Sequence, residues 1–230
     1  MKRCLITGAS RGIGRAIAVK CAADRYDVIA HGRDQNALIE TVGLIEASGG
    51  RARMMIADLS TRAGIDRIIG DLGKGSLDLL VNNAGVAIVK PFEQISDEEW
   101  SQTLAVNVTA PFMLIRGLAP IMPEGSSIVN VLSVAARTGF PHWSGYCMSK
   151  FALDGLARSI REELRARRIR VINIYPSAIR TSMWEGIEGD WSADRMVSPD
   201  EVAEAVHFAI SRPAGVLIED ISVGDISGTL

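Results

Sequence analysis

Apolar runs of strand length alternate with helical patterns along the whole 230-residue chain. The apolar runs predict strands near 2–7, 27–31, 52–56, 77–81, 126–132, 169–175 and 215–219. Apolar positions three and four apart predict helices near 12–24, 35–48, 61–72, 97–121, 145–167 and 199–211. No hairpin signal separates successive strands, and strands that alternate with helices pair in parallel through right-handed crossovers. With no repeat, low-complexity tract or Pro/Gly/Ser linker, a single α/β domain over 1–230 is expected.

This alternation gives meaning to the polar and glycine positions at strand ends. The first strand runs into Thr7-Gly8-Ala9-Ser10-Arg11-Gly12-Ile13-Gly14 and then a helix. Gly8 permits a tight turn, Gly12 admits a pyrophosphate to the backbone, and Gly14 lets helix and strand approach. Phosphates there meet the free N–H groups and positive dipole end of the helix. The second strand ends His31-Gly32-Arg33-Asp34, with glycine where a carboxylate would hold a ribose 2′-hydroxyl. Arg11 and Arg33 suit a 2′-phosphate through their planar forks; as an alternative they are two solvated arginines. The third strand ends Ala57-Asp58-Leu59, a carboxylate placed to accept from an adenine amino group. The fourth ends Asn82-Asn83-Ala84-Gly85, small and polar where a backbone passes close to a ribose. Asn107 interrupts a long helical pattern, where asparagine is a poor resident, and Pro111 follows it. A local kink with a polar inner face accounts for both; a surface position is the alternative.

The chemistry concentrates at S-V-A-A-R-T-G-F-P-H-W-S-G-Y-C-M-S-K, from Ser133 to Lys150. Tyr146 and Lys150 are one helical turn apart and share a face. Tyrosine titrates near 10, and an ammonium one turn away favours the phenolate and draws it toward neutral pH. Ser133 follows a buried strand, at the carboxyl end where open α/β sheets hold their ligands. Beyond the sixth strand, Pro176-Ser177-Ala178-Ile179-Arg180-Thr181 opens an irregular stretch near 177–197 with Trp184 and Trp191 among glycines. It reads as a flap over the site or as a loop buried by its aromatics. Ser198-Pro199 starts the next helix as N-cap and first helical residue.

Composition adds exclusions. Hydrophobic residues are 47% and charged residues 23%, as in ordinary globular proteins. A net charge of −2 gives no reason to expect nucleic acid or an anionic membrane. No apolar run reaches the roughly 18 residues of a membrane span, and the N-terminus passes directly into a strand without a leader pattern. The three cysteines, Cys4, Cys21 and Cys147, have no ligand-like spacing, so free thiols in a reducing cytoplasm are expected, and no metal.

Taken in order, T-G-A-S-R-G-I-G, N-N-A-G, the helix Asn107, Ser133 and Y-C-M-S-K resemble the short-chain dehydrogenase/reductase family over almost the whole chain. The resemblance implies a Rossmann-like doubly wound sheet of order 3-2-1-4-5-6-7 with helices on both faces. It implies hydride transfer between NADP(H) and a carbonyl/alcohol pair. Ser133 would polarise the substrate oxygen and Tyr146 would be the general acid/base. Lys150 would lower the tyrosine pKa and hold the nicotinamide ribose, and Asn107 would position a water. Gly8, Ser10, Arg11, Gly12, Ile13, Gly14, Arg33, Asp58, Leu59, Asn83, Ala84, Gly85, Pro176, Ile179 and Thr181 would bind the cofactor with Tyr146 and Lys150. A homotetramer is implied, and apolar Phe151, Leu153, Leu156 and Ile160 exceed what one helix face needs. The chain departs from the family in Ser177, where glycine usually follows the proline, and in its C-terminal stretch. A general carbonyl reductase of small or medium substrates is the first reading. A 3-oxoacyl-carrier-protein reductase is the second, with Arg137, Arg165, Arg167, Arg168 and Arg170 as a basic patch for an acidic partner or merely as helix-end charges. A hydroxy-acid or serine dehydrogenase, with Arg180 on a carboxylate, and a cofactor-binding regulatory protein complete the set.

Overall fold

The computed structural model describes residues 1–185, 187 and 193–228. Seven strands pair in parallel in the order β3-β2-β1-β4-β5-β6-β7. They are β1 Arg3–Ile6, β2 Asp27–Gly32, β3 Arg51–Ile56, β4 Leu79–Asn82, β5 Ser127–Val131, β6 Arg170–Pro176 and β7 Asp220–Val223. Cys4, Val28, Leu79, Val129 and Ile172 project to one face, under α1 (Gly12–Ala23), α2 (Gln35–Ala47) and α7 (Pro199–Ile210). Their neighbours Leu5, Ile29, Leu80, Ile128 and Val171 project to the other, under α3 (Arg62–Leu72), α5 (Ala110–Leu118) and α6 (Ser144–Arg165). Both faces are dry, so the central strands read as continuous apolar runs without alternation. This is the doubly wound, Rossmann-like order expected from the sequence.

The long helix expected over 97–121 is divided. The first part, α4 (Asp97–Leu104), starts from a capping box in which Ser96 and Glu99 satisfy each other's backbone N–H groups. A π turn, Ala105–Thr109, then precedes α5 and places Asn107 inside the fold. Such a wide turn is a local insertion that re-aims side chains, the physical form of the kink that Asn107 and Pro111 predict. The run Asp97–Ile121 is long and apolar enough to cross a membrane by length and composition, contrary to the sequence reading. Half of its most apolar window is buried, and Ala110, Leu114, Ile115 and Leu118 sit in the core beneath the sheet, so it packs as a core segment.

The seventh strand is a second correction, lying at Asp220–Val223 and not at 215–219. Its register pairs Asn173 with Asp220, and the buried Arg161 donates to the Glu219 carbonyl and the Asp220 carboxylate. That guanidinium makes an acidic strand start tolerable. The more apolar Leu217 and Ile218 pack against the core without entering the ladder.

Candidate active site

A cleft of about 430 Å³ opens at the carboxyl ends of the central strands. All the cofactor-binding candidates named from the sequence line it, together with Ser133. At one end is the turn after β1. Gly8 is left-handed, with φ +67°, a conformation that glycine adopts without penalty. A Cβ on Gly14 would lie 2.2 Å from the Gly8 carbonyl oxygen, so α1 starts against its own turn only because no side chain intervenes. The Asn83 amide donates to the Thr7 and Gly8 carbonyls at 2.9 and 3.2 Å, tying the turn to the end of β4. Asn83 thus braces the turn with its side chain, a role its sequence position does not reveal.

Two features fit this end to a phosphorylated dinucleotide. The N-cap residue of α1, Arg11, makes no side-chain capping bond, and the first turn holds no acidic residue. The helix therefore presents unsatisfied N–H groups and a positive dipole end to the cleft. At the end of β2, Arg33 lines the cleft, whereas Asp34 accepts from Ala37 N–H at 3.1 Å as the N-cap of α2. Beyond β3, Asp58 accepts from the Ser60 N–H at 2.9 Å and hydroxyl at 2.8 Å, and the Ser60 N–H holds its carboxyl below the usual value.

At the other end Tyr146 lies beside Ser133, whose hydroxyl offsets part of the upward shift of the phenol, and Ser133 Oγ accepts from Ala135 N–H at 3.1 Å. Lys150 Nζ lies 5.5 Å from the Tyr146 ring centroid and donates to the Val131 carbonyl at 2.9 Å. Burial pushes Tyr146 up to about 12 and Lys150 down to about 8. The four-residue spacing predicts an ammonium that draws the phenol down. In the protein alone the lysine is held by a carbonyl and both groups lack water, so burial outweighs their mutual attraction.

Asn107 stands behind the cleft wall, with its carboxamide accepting from Val86 N–H at 2.9 Å. It donates to the Val86 carbonyl at 2.8 Å and to Ser149 Oγ at 3.0 Å. The side chain is therefore engaged in clamping the segment after Gly85 to α6.

The stretch 177–197 is stitched at both ends. Val197 N–H donates to the Ala178 carbonyl and Arg180 N–H to the Val197 carbonyl. Trp184 lines the cleft, donates from Nε1 to the Ile179 carbonyl at 2.8 Å, and tilts against Trp143 with 5.8 Å between ring centroids. Trp191 lies outside the described residues. Arg180 is exposed and does not line the cleft.

The basic run is also placed away from the cleft. Arg170 begins β6, at the amino ends of the strands away from the cleft, and its guanidinium donates to the Gly125, Ile210 and Arg212 carbonyls. Arg165 pairs with Glu162 and Arg168 with Glu124, while Arg167 donates to the Ala119 carbonyl. Arg137 stacks 3.6 Å over the Tyr175 ring and bonds Ser222. His31, Ser177 and Met183 also line the cleft, beyond the binding candidates visible in the sequence. His31 had a visible signal, a polar residue closing a buried strand.

The fold and this cleft together define a dinucleotide-binding oxidoreductase architecture. The family description "short chain dehydrogenase" matches residues 2–191, and the chain belongs to that family. It is 32% identical over 237 residues to a sepiapterin reductase of Chlorobaculum tepidum, covering 98% of this chain and 97% of that one. It is 31% identical to a 3-oxoacyl-[acyl-carrier-protein] reductase of Synechocystis, covering 93% and 91%. A solved structure of an angucycline C-6 ketoreductase with bound NADP superposes with a TM-score of 0.89 at 32% identity, covering 99% of this chain and 96% of that one.

Proposed function

We propose that this enzyme is an NADP(H)-dependent carbonyl reductase for neutral, largely apolar carbonyl compounds of small or medium size. One observation carries the reading: Ser133 and Tyr146, with Lys150 one turn away, line the same cleft as the uncapped start of α1 and both Arg11 and Arg33. NADP bound to the related ketoreductase supports the choice of cofactor. When bound, NADPH supplies the hydride.

The chain's own residues handle the rest. The Ser133 and Tyr146 hydroxyls hold and polarise the carbonyl oxygen. Tyr146, neutral because burial pushes it to about 12, delivers its proton to that oxygen as negative charge develops there. The phenolate left behind is stabilised by the Lys150 ammonium, which also suits a ribose hydroxyl. The side-chain bonds of Asn107 are engaged, so a water that recharges the pair would rest on its main chain. Apart from Lys150, the described residues of the substrate end, with Val86, Ala87, Met183 and Trp184, present no charged side chain, which favours a neutral substrate over a hydroxy acid.

The second reading, a 3-oxoacyl thioester on a carrier protein, draws on the Synechocystis relative. Its basic patch is dispersed: Arg165, Arg167, Arg168 and Arg170 lie at the amino end of β6, engaged with carboxylates or carbonyls, and Arg137 stacks on Tyr175 and pairs with Asp220. NADPH oxidation against a panel of neutral ketones, β-keto thioesters, 3-oxo acids and sugar ketones tests both readings. Activity confined to the thioester would establish the second, and activity with none would remove the reductase reading.

A single domain, a cytoplasmic location and a homotetramer belong to the same proposal. Leu153 is buried, and Leu156 and Ile160 pack inward against the core clusters. This leaves Phe151, with Trp100 and Phe112, as exposed apolar groups on α4, α5 and α6. Light scattering at micromolar concentration checks the assembly.

A further inference from the structure

The adenosine end of the cleft is built from two loops that share no strand pairing. The turn after β1 carries Gly8, and the loop after β3 carries Asp58 and Leu59. In the sheet order, β2 lies between them. His31, near the end of β2 and 2% exposed, spans the gap. Its Nδ1 accepts from Gly8 N–H at 3.4 Å, and its Nε2 lies 3.1 Å from the Ala57 carbonyl. One neutral tautomer satisfies both contacts, with the proton on Nε2 donated to Ala57. The main chain of β2 adds parallel ties, Ala9 N–H to the His31 carbonyl and Ala57 N–H to the Gly32 carbonyl.

We infer that His31 is a positioning residue for the adenosine half of the cofactor, locking the glycine turn and the Asp58 loop at a fixed separation through one uncharged imidazole. The inference rests on the NADP(H) reading above. The ring lies inside the cleft lining beside Arg33, so an imidazolium there would face a neighbouring guanidinium. Burial holds its pKa down at about 4, which keeps it an acceptor toward Gly8 at neutral pH. The positive charge offered to a 2′-phosphate therefore comes from Arg11 and Arg33, and His31 supplies geometry alone. Leucine in its place fills the space but makes neither bond. Glutamine retains an amide able to serve one side.

Fluorescence titration of His31→Leu and His31→Gln with NADPH, 2′,5′-ADP and reduced nicotinamide mononucleotide tests the assignment. Loss of two neutral hydrogen bonds predicts that His31→Leu weakens NADPH and 2′,5′-ADP alike, by about tenfold. Affinity for reduced nicotinamide mononucleotide and kcat at saturating NADPH should stay within about twofold of wild type. His31→Gln should recover part of the loss, and it carries the test alone if the leucine variant does not fold. Wild-type affinity for 2′,5′-ADP in either variant overturns the inference. So does a loss shared equally by the mononucleotide, which marks general loosening of the fold. If the carbonyl panel shows no turnover while these titrations behave as stated, the reductase reading fails and the role of His31 stands.

Discussion

The two ends of the cleft are prepared in opposite ways. At the adenosine end the protein completes its own bonding beforehand: Asn83 braces Gly8, His31 ties Gly8 to Ala57, and Asp58 is anchored by Ser60. What lines the cleft there is the glycine turn, Arg11, Arg33 and Asp58. At the reacting end the groups are buried against their ionisation, with Tyr146 raised to about 12 and Lys150 lowered to about 8. One end is a mould braced by its own bonds, and the other a buried pair whose pKa values are set by the loss of water. Binding at the first can be strong without chemistry, and chemistry at the second depends on what binding brings close.

The largest effect should separate the two ends outright. Tyr146→Phe keeps the ring and removes the proton, so turnover should fall by about 10²–10⁴-fold. NADPH titration should be unchanged, and a parallel loss of cofactor affinity would show that the ends are not independent.

Next is the mould itself. Gly14→Ala drives a methyl into the Gly8 carbonyl at 2.2 Å, and overpacking of this kind costs about 1–3 kcal/mol. Thermal unfolding should report that loss together with weakened NADPH binding.

Arg33→Ala removes one charge-assisted contact, about 1.5–3 kcal/mol. NADPH affinity should drop about tenfold or more, with NADH affinity unmoved. Equal use of NADH and NADPH by the wild type would contradict the assignment of Arg33 to the 2′-phosphate.

The smallest effect concerns pH in the absence of cofactor. Lys150 has a folded pKa near 8, below its ordinary 10.5, so above pH 8 the unfolded chain binds more protons there than the folded one. Stability should therefore rise from pH 8 toward 10 relative to Lys150→Met. Tyr146 is common to both proteins, so its raised pKa drops out of the difference. Chemical denaturation of the two proteins at pH 7, 8, 9 and 10 measures the slope.

The strand–helix alternation, the glycine turn and the Ser133, Tyr146 and Lys150 spacing were legible because each is a local demand. A buried parallel strand needs an apolar run, a left-handed turn needs glycine, and two side chains on one helix face need a spacing of four. The same holds for the break at Asn107, where residue type alone resists a regular helix. What stayed hidden depends on partners distant in the chain. Arg161 fixes where β7 begins, the arginines before β6 lie at the amino ends of the strands opposite the cleft, and His31 joins loops that only the strand order brings together. The charge states of Tyr146 and Lys150 belong to this second group. Their separation along the helix can be read from the sequence, but the loss of water that sets their pKa values exists only once the sheet, α6 and the loop beyond β6 have closed around them.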